Sequence, residues 1–244
     1  MSSSPSTAPH TSRSYKIQLI VPIYNEGENV ISLYRELQAS GAEYDTLRFV
    51  HDQDTDTSLP FIAKLRDADE RVAADKNQFG RGVVKALRWG FSRVQSGPAI
   101  VIMGDCSDKL DILPDMVRMW ERGATIVSPS RYMRGGEQHG GGLLKSTLSR
   151  VAGLSLKLLG FPTADATNNF KLYDGDWLKA QEIESTGGFE IAIELCYKAY
   201  AQKKKIVELP TVWRDRTAGE SNFKLWKWLP RYLGWYFKCI GAIV

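Results

Sequence analysis

The sequence of 244 residues predicts an α/β fold with a mostly parallel central sheet flanked by helices, and three observations support this prediction. Short apolar segments of strand length, such as KIQLIVPIY (16–24), alternate with longer segments of helical spacing, such as ENVISLYRELQAS (28–40). Strands that alternate with helices of about 10–15 residues form crossover units and therefore parallel sheets. The chain is also long enough for one large domain with a buried core.

The predicted elements follow one another in a regular order along the chain. The strands are short and rich in β-branched or aromatic residues, and they are predicted at 16–24, 46–51, 99–104, 125–130, 167–173 and 205–213. The helices show apolar residues three or four positions apart, and they are predicted at 28–40, 80–94, 113–123, about 143–159, 189–202 and from near 223 to the end. The first helix ends before Gly41, a typical stop signal.

The N-terminal composition, the cysteines and the charge distribution indicate what class of protein this is. The first residues (1–14) are rich in Ser, Pro and Thr and lack the apolar run of a signal peptide, so we expect a flexible tail. Three distant cysteines, Cys106, Cys196 and Cys239, argue against a disulfide framework and favour a reducing cytosol. The segment 203–238 carries nine Lys/Arg against three Asp/Glu, or +6, so the rest of the chain carries −2 of the net +4.

Acidic residues follow several of the predicted strands. The first strand ends in PIYNE (22–26), the second continues into HDQDTD (51–56), and a later one continues into MGDCSD (103–108). Ligands of open parallel sheets bind beyond the carboxyl ends of the strands. Acids gathered there suit a hydrated divalent cation or a nucleobase, although a single Asp is also a common turn or cap residue.

These segments resemble, in their order, the family 2 glycosyltransferases of the GT-A fold, in the branch of dolichyl- and polyprenyl-phosphate mannose or glucose synthases. The resemblance covers about 17–232 and rests on VPIYNE, HDQDTD, NQFGRG, MGDCSD, SRY, DATNNFKLY, FEIAIE and RDRTAGES. It implies a single GT-A domain at 15–222, with a nucleotide-sugar half at 15–110 and an acceptor half at 111–222. A basic amphipathic helix is expected at 223–244.

The resemblance implies a donor nucleotide beside the first strands, with Asp52 accepting a hydrogen bond from the base. The donor residues that it implies are Pro22, Tyr24, Asn25, Glu26, Asp52, Asn77, Gly80, Arg81, Gly82 and Asp105. Each could instead be a turn residue, and the two glycines could be a plain helix cap or allow close backbone approach. They are not a dinucleotide fingerprint, because Lys85 replaces its third glycine.

The resemblance also implies a divalent cation, Mg²⁺ or Mn²⁺, at the family's Asp-Ala-Asp motif. Here that motif reads Met103-Gly104-Asp105, so one carboxylate is missing, and His51 similarly precedes Asp52 where a pair of acids is usual. Asp105 is the first choice of metal ligand and Asp108 the second, because Mg²⁺ needs only one or two carboxylates beside phosphate oxygens. The full ligand set stays open.

The acceptor implied by the resemblance is a polyprenyl phosphate. A phosphate monoester carries about −1.5 to −2 charges at neutral pH, so it can attack the sugar without the general base that an alcohol needs. Cations must then offset the repulsion between two phosphate-bearing substrates. The implied acceptor-phosphate residues are Arg131, Lys145, Ser149, Arg216 and Ser221. Lys145 stands where the family has Arg, so bidentate contact is lost there.

Further residues are implied around the sugar. Asp165, Asn168 and Asn169 are expected either to line its pocket or only to bond a turn. Glu194 is expected to contact substrate or the metal shell without being an obligatory base. With Asp105, Arg131 and Arg216, it completes the set expected to act in catalysis.

Two segments leave alternatives open. The stretch 129–142 has five glycines and predicts a mobile loop, either a substrate lid or a connector. The last segment places Lys224, Lys227, Arg231 and Lys238 on one helical stripe. Such a helix fits a membrane interface or packs on the domain with its aromatics in the core. The charges leave no uncharged run long enough to span a membrane.

The sequence therefore predicts an inverting transferase of a hexosyl group from a nucleotide sugar of the GDP-mannose or UDP-glucose type. We expect it in the cytoplasm, peripheral on the cytoplasmic face of a membrane, with no nucleic-acid partner and an unassigned oligomeric state. The alternatives are a transferase for a soluble or polysaccharide acceptor, a nucleotidyltransferase that makes the sugar nucleotide, and a non-catalytic nucleotide-sugar scaffold. The missing acid at Met103 favours the scaffold.

Overall fold

The computed structural model describes residues 14–215 and 225–243, apart from the side chains of 143–145 and 225–227. Within these ranges the chain forms nine strands and eight α-helices. The strands are β1 Gln18–Pro22, β2 Thr46–His51, β3 Val72–Lys76, β4 Pro98–Val101, β5 Ile126–Ser130, β6 Glu137–His139, β7 Lys171–Asp174, β8 Ile206–Pro210 and β9 Val212–Arg214. The helices are α1 Asn29–Ala39, α2 Leu59–Ala68, α3 Val83–Ser92, α4 Leu113–Glu121, α5 Leu143–Leu158, α6 Gly175–Lys179, α7 Ile191–Ala201 and α8 Leu225–Ile243.

The main sheet has seven strands in the order β3-β2-β1-β4-β7-β5-β8. Strand β1 pairs in parallel with β2 and β4, β2 with β3, and β5 with β8. Only β7 runs the other way, antiparallel to β4 and β5. The predicted mostly parallel sheet is therefore confirmed, with one reversed strand near its middle.

Helices cover both faces of this sheet and bury its central strands β1, β4 and β5 on both sides. On one face α3, α6, α7, α8 and part of α5 enclose a core that includes Phe91, Tyr173 and Trp177. On the other face α1, α2 and α4 enclose a second core around Phe49 and Phe170. The helices leave the ends of the strands uncovered, and the loops that follow these ends can form a binding site.

Three parts of the chain differ from the prediction. The segment 52–79 contains α2 and β3, where no element is predicted. The predicted strand 205–213 is divided, because at Thr211 the chain leaves the β5 strand and pairs with β6. The Gly-rich stretch 129–142 contains β6 and lies against the body, since a Cβ on Gly136 would be 2.3 Å from the carbonyl oxygen of Ser130.

The last helix packs on the domain. In α8, Trp235 and Cys239 are 7% and 0% exposed and belong to the same core as α7. The Trp235 ring lies 5.7 Å from that of Tyr197, and the Tyr236 hydroxyl lies 2.8 Å from the Ser155 hydroxyl of α5. The core-packing alternative therefore describes this face of α8. None of the helices in the described ranges is long and apolar enough to cross a membrane.

Candidate active site

The topology brings most of the predicted site residues that the structure describes to one edge of the sheet. The carboxyl ends of the six strands that run in the same direction lie along this edge. Strand β7 is antiparallel, so its amino end lies there too, with Lys171 beside Val101 at the end of β4. The segment before β7, which holds Asp165, therefore joins the loops that follow β1 to β5. We call this edge the rim.

The loop after β1 is held by the loop after β2. Asn25 has a left-handed backbone (φ 55°), and its N–H donates to the Asp56 carboxylate at 2.9 Å. The Thr57 N–H donates to the Asn25 side-chain oxygen at 3.2 Å, and the Glu26 N–H donates to the Ser58 hydroxyl at 3.0 Å. Asp56 is 2% exposed. The predicted donor residues Asn25 and Glu26 thus sit on a backbone fixed by the HDQDTD segment.

Asp52 organises the next part of the rim. One carboxylate oxygen accepts from the Asn77 amide at 2.9 Å, and the other accepts from the Gly82 N–H at 2.7 Å. The Asn77 amide also donates to the Gly80 carbonyl at 2.6 Å. Both glycines have positive φ, 93° and 119°, which favours glycine at these positions. The structure brings these four predicted donor residues together, with each carboxylate oxygen of Asp52 already bound to the loop that opens α3.

Three other predicted donor residues surround these loops. Pro22 is buried at the end of β1, and Tyr24 is half exposed beside it. Arg81 is exposed between the two glycines. The rim therefore presents an aromatic ring and a guanidinium group to solvent near the Asp52 loop.

The loop after β4 carries the two predicted metal ligands. Asp105 accepts from the N–H and the hydroxyl of Ser107. Glu26 packs next to this loop, because a Cβ on Gly104 would lie only 3.2 Å from its Cγ atom. The glycine at the altered motif thus lets the β1 loop approach Asp105 closely.

Asp108 is buried at the same loop. It is 4% exposed, and its Oδ1 atom has no hydrogen-bond partner in the described part of the chain. Burial raises the pKa of this carboxyl to about 7, and the negative charge of Asp105 raises it further, while Arg131 opposes the shift. Its backbone bridges to Trp213 in β9.

These two carboxylates fit a divalent cation. A buried carboxylate oxygen without a partner is costly unless a ligand or proton satisfies it, and Mg²⁺ combines one or two carboxylates with phosphate oxygens and water. Within the described ranges no cluster of three or more His, Cys, Asp or Glu side chains could hold a metal by itself. A cation held here would need further ligands, such as water or phosphate oxygens.

Across the rim, Arg131 forms a paired contact with Asp165. Its Nε and Nη2 atoms donate to the two carboxylate oxygens at 2.7 and 2.8 Å, and its backbone N–H donates at 3.0 Å. The side chain of Arg131 is 13% exposed and that of Asp165 is fully buried. Below them the fully buried Lys171 ammonium donates to the Asp165 and Asn168 carbonyls, and burial lowers its pKa. Asp165 therefore orients the predicted phosphate-binding arginine.

The remaining predicted residues of this region bond mainly to neighbouring segments. The Asn168 amide donates to the Pro129 carbonyl at 3.3 Å, and the Asn169 amide donates to the Phe189 carbonyl at 3.0 Å. The Ser149 hydroxyl lies 2.9 Å from the Thr167 hydroxyl. These contacts link α5 and the start of α7 to the segment that carries Asp165.

Glu194 lies in the interior of the protein. Its two oxygens accept from the N–H groups of Glu184 at 2.7 Å and Ser185 at 2.8 Å, and Lys198 pairs with it at 2.9 Å. These contacts give Glu194 a structural role, and its contact with substrate stays a prediction. Arg216 and Ser221 lie outside the described residues, as does the side chain of Lys145.

The structure adds three residues to the candidate site. Asp56 fixes the β1 loop, Lys171 lies under Asp165, and the Trp213 ring lies 6.0 Å from the Arg131 guanidinium carbon while its backbone bridges to Asp108. Asp56 was visible as one acid in HDQDTD. Lys171 and Trp213 lie in predicted strands, and the signal in the sequence is a lone Lys among the apolar residues of its strand.

Comparison with known proteins identifies the family. The model of the Glycosyl transferase family 2 domain matches residues 18–179, which is more than half of the chain. The chain belongs to glycosyl transferase family 2. The protein is therefore a glycosyltransferase. The matched residues include the loops that carry Asp52, Asp105 and Arg131.

Three similar curated proteins are named as mannosyl or glucosyl transferases. A dolichol-phosphate mannosyltransferase of Pyrococcus furiosus is 23% identical over 86% of this chain and 59% of its own length. An undecaprenyl-phosphate mannosyltransferase of Micrococcus luteus is 25% identical over 85% and 87%. A prophage bactoprenol glucosyl transferase homolog of Escherichia coli is 24% identical over 87% and 68%. The chain thus spans about three-fifths of the first relative and most of the second.

Solved structures confirm the predicted GT-A fold. Glucosyl-3-phosphoglycerate synthase of Mycobacterium tuberculosis with Mn²⁺, UDP and glucosyl-3-phosphoglycerate has a TM-score of 0.66, at 14% identity over 93% of this chain and 81% of its own. The same enzyme with Mg²⁺ and UDP has a TM-score of 0.67 at 14% identity, over 93% and 80%. At this identity the likeness establishes the fold alone.

Proposed function

We propose that this glycosyltransferase moves a hexosyl group, with inversion, from a nucleotide sugar of the GDP-mannose or UDP-glucose type to a polyprenyl phosphate. The supporting observation is that three relatives aligned over 85–87% of the chain are all named as transferases for prenol carriers. The rim supports the same reading, since carboxylates for a cation face a fixed arginine across it.

In the proposed reaction an oxygen of the acceptor phosphate attacks the anomeric carbon of the sugar. The bond between that carbon and the nucleotide diphosphate breaks, and the diphosphate leaves with the electron pair. A single displacement inverts the anomeric centre. Because the attacking phosphate is already anionic near neutral pH, no side chain has to remove a proton, which agrees with the buried, fully bonded Glu194.

The residues of the donor half bind and orient the leaving group in this proposal. Asp52 holds the loop of Gly80 and Gly82 close to the nucleotide. Asp105 and Asp108 would hold a divalent cation, Mg²⁺ or Mn²⁺, which supplies positive charge to the diphosphate when it is bound. The M. tuberculosis structures with Mn²⁺ or Mg²⁺ show that the fold can carry such an ion.

Arg131 binds the acceptor phosphate in this proposal. Its bonds to Asp165 use Nε and Nη2, so within the described part of the chain Nη1 is left to donate to a phosphate oxygen. Asp165 fixes the guanidinium plane beforehand, which lowers the entropy cost of binding. We assign Ser149, Lys145, Arg216 and Ser221 to the same acceptor side as part of the proposal.

The proposed location is the cytoplasmic face of a membrane, because a polyprenyl carrier is confined to lipid. The enzyme would be peripheral there, and the C-terminal segment is the proposed contact. Partners are the donor and the lipid acceptor, with no nucleic acid.

The test is nucleotide release by the purified chain with Mg²⁺ or Mn²⁺, a polyprenyl phosphate and each candidate nucleotide sugar. We expect GDP or UDP to be released together with a glycosylated lipid. Release of pyrophosphate would favour a nucleotidyltransferase, and glycosylation of uncharged hydroxyl compounds alone would favour a soluble or polysaccharide acceptor. No product with any acceptor would favour the scaffold. Asp105→Asn is the control, with turnover lowered by about 10² or more.

A further inference from the structure

An apolar surface lies on the outside of helices α5 and α8. Helix α5 exposes four side chains spaced three or four residues apart, Leu148, Val151, Leu154 and Leu158, at 38%, 60%, 36% and 88%. This spacing forms a stripe of about 15 Å along one helix face. Large side chains so exposed are uncommon on a soluble surface unless something covers them.

Helix α8 extends this surface. It lies against α5, with the Ser155 and Tyr236 hydroxyls 2.8 Å apart. Leu233 and Phe237, one helical turn apart, are 41% and 62% exposed, and the Phe237 ring lies 5.5 Å from that of Tyr236. Leu159, just after α5, is 45% exposed. We call these seven residues of 148–159 and 233–237 the α5–α8 patch.

The charges carried by the two helices of the patch have one sign. The sequences of α5 and α8 contain no Asp or Glu and six Lys or Arg, namely Lys145, Arg150, Lys157, Lys227, Arg231 and Lys238. Lys157 and Lys238 pair with Glu208 and Glu184 on neighbouring elements but remain 45% and 48% exposed. The patch therefore lies on two helices whose described cations, Arg150, Lys157, Arg231 and Lys238, are exposed, a combination that suits an anionic lipid surface.

The inner side of α5 faces the candidate acceptor site. Ser149 bonds to Thr167, two residues from the Asp165 that holds Arg131. A Cβ on Gly153 would lie 1.8 Å from the Ala164 carbonyl oxygen, so the helix is pressed against this segment. Leu148 and Val151 therefore lie on the turns of α5 that hold Ser149 and Gly153, but on its outer face. A lipid bilayer on the outer face would then lie about 10 Å, one helix diameter, from this segment.

We propose that the α5–α8 patch is the surface by which this protein lies on an anionic bilayer, with the leucines of α5 and Phe237 inserted among the acyl chains. This inference rests on the proposed function for its purpose, since it places the acceptor site at the membrane. It assigns the larger part of the contact to α5. A second copy of the chain fits the patch less well, because a two-fold interface would bring two surfaces of the same positive charge together.

The test is sedimentation of the full chain with vesicles of phosphatidylcholine, with and without phosphatidylglycerol. We expect binding to the anionic vesicles, weakened by salt. The variant Val151→Glu/Leu158→Glu should bind at least about tenfold more weakly. Its matched control is Ala63→Glu/Ala68→Glu, which makes the same change of net charge at two exposed positions of α2. The control should stay within about twofold of the unmodified protein.

A second pair of substitutions separates hydrophobicity from charge. Val151→Ser/Leu158→Ser keeps the net charge and removes apolar area, so we expect reduced vesicle binding with the melting temperature kept, since both side chains are mostly exposed. Binding of either patch variant at the level of the unmodified protein, or equal losses in the Ala63/Ala68 control, would overturn the inference. So would a dimer in gel filtration that the patch variants convert to monomer.

The two proposals can fail separately, because sedimentation needs no turnover. Vesicle binding that depends on the patch, without transfer to any polyprenyl phosphate, would overturn the proposed function only. Transfer to a detergent-solubilised acceptor by a chain that ignores anionic vesicles would overturn only the membrane surface.

Discussion

Charged side chains with little solvent around them set the chemistry at the residue scale. Asp108, Asp165 and Lys171 are almost fully buried, and Arg131 is nearly so. Buried charges rarely improve stability over apolar residues, but removing one member of a pair leaves the other without compensation. This cluster of buried charges therefore stabilises the fold less than apolar residues would, but it holds hydrogen-bond donors and acceptors in a defined arrangement.

The Arg131 pair leads to a stability prediction. Arg131→Ala leaves the Asp165 carboxylate buried and without its guanidinium, so we expect a loss of about 3–5 kcal/mol in the free energy of unfolding, measured with urea. Arg131→Lys keeps the charge but not the paired geometry and should lose less, while its acceptor KM rises and its nucleotide KM stays unchanged. Arg150→Ala, at an exposed position, is the control. An equal loss in both alanine variants would contradict the prediction.

The raised pKa of Asp108 leads to a prediction about pH. Burial raises it from 3.8 to about 7 in the folded protein, so the folded state keeps a proton that the unfolded state has lost. The resulting stability is complete below about pH 4 and is lost as the pH rises through about 7. With a chelator present, Asp108→Asn should lose less stability than the unmodified protein between about pH 5 and pH 8. The exposed Asp67→Asn should follow the unmodified curve, and parallel curves for Asp108→Asn would refute the assignment.

At the scale of elements, helices α5 and α8 have different inner and outer faces. Helix α8 buries Trp235 and Cys239 while it exposes Phe237. Helix α5 meets the Asp165 segment at Gly153 and exposes a stripe of leucines. Each helix thus buries one face in the core and exposes apolar side chains on another face. A simple amphipathic pattern, with one apolar and one polar face, does not predict this.

The buried face of α8 can be tested by truncating side chains. Trp235→Ala removes a large side chain that is 7% exposed, so it should lower the free energy of unfolding by about 3–5 kcal/mol. Phe237→Ala, on the same helix and 62% exposed, should change it by less than about 1 kcal/mol. Chemical unfolding monitored by circular dichroism gives both values. A small effect at Trp235 would mean that α8 does not dock in solution.

The close approach of α5 can be tested with two glycines. Gly153→Ala forces a methyl group against the Ala164 carbonyl, 1.8 Å away without adjustment, and should cost at least about 1–3 kcal/mol. Gly234→Ala, within α8 and with nothing inside 4 Å, should instead stabilise by about 0.5–1 kcal/mol because alanine favours the helix. Thermal unfolding distinguishes the two, and a neutral Gly153→Ala would show that α5 can move away from the site.

At the scale of the whole molecule, topology determines the site. The reversed direction of β7 brings the Asp165 segment to the rim between the ends of β4 and β5. The loops after β1 to β4, which are expected to bind the donor, lie on one side of this point, and the loop after β5, which is expected to bind the acceptor, lies on the other. The division into a donor half and an acceptor half stays a prediction, and the sheet order is consistent with it.

The whole fold should respond to its donor. A ligand that binds only the native state at about 100 times its Kd adds about 2.7 kcal/mol of stability. We expect one nucleotide sugar, with Mg²⁺ or Mn²⁺, to raise the melting temperature more than others, while the free sugars have no effect. The absence of a shift with every GDP- and UDP-sugar would contradict nucleotide-sugar binding.

The sequence by itself determined the fold class and the family, because alternating strands and helices, and motifs in a set order, are local properties that need no coordinates. The positions of Asp52, Asp105 and Arg131 in loops after strands followed from the same pattern. Only the tertiary structure decided that Asp165 pairs with Arg131, that Lys171 lies beneath them and that α8 is part of the core. These contacts join residues far apart in the chain, and their burial depends on which strand runs antiparallel.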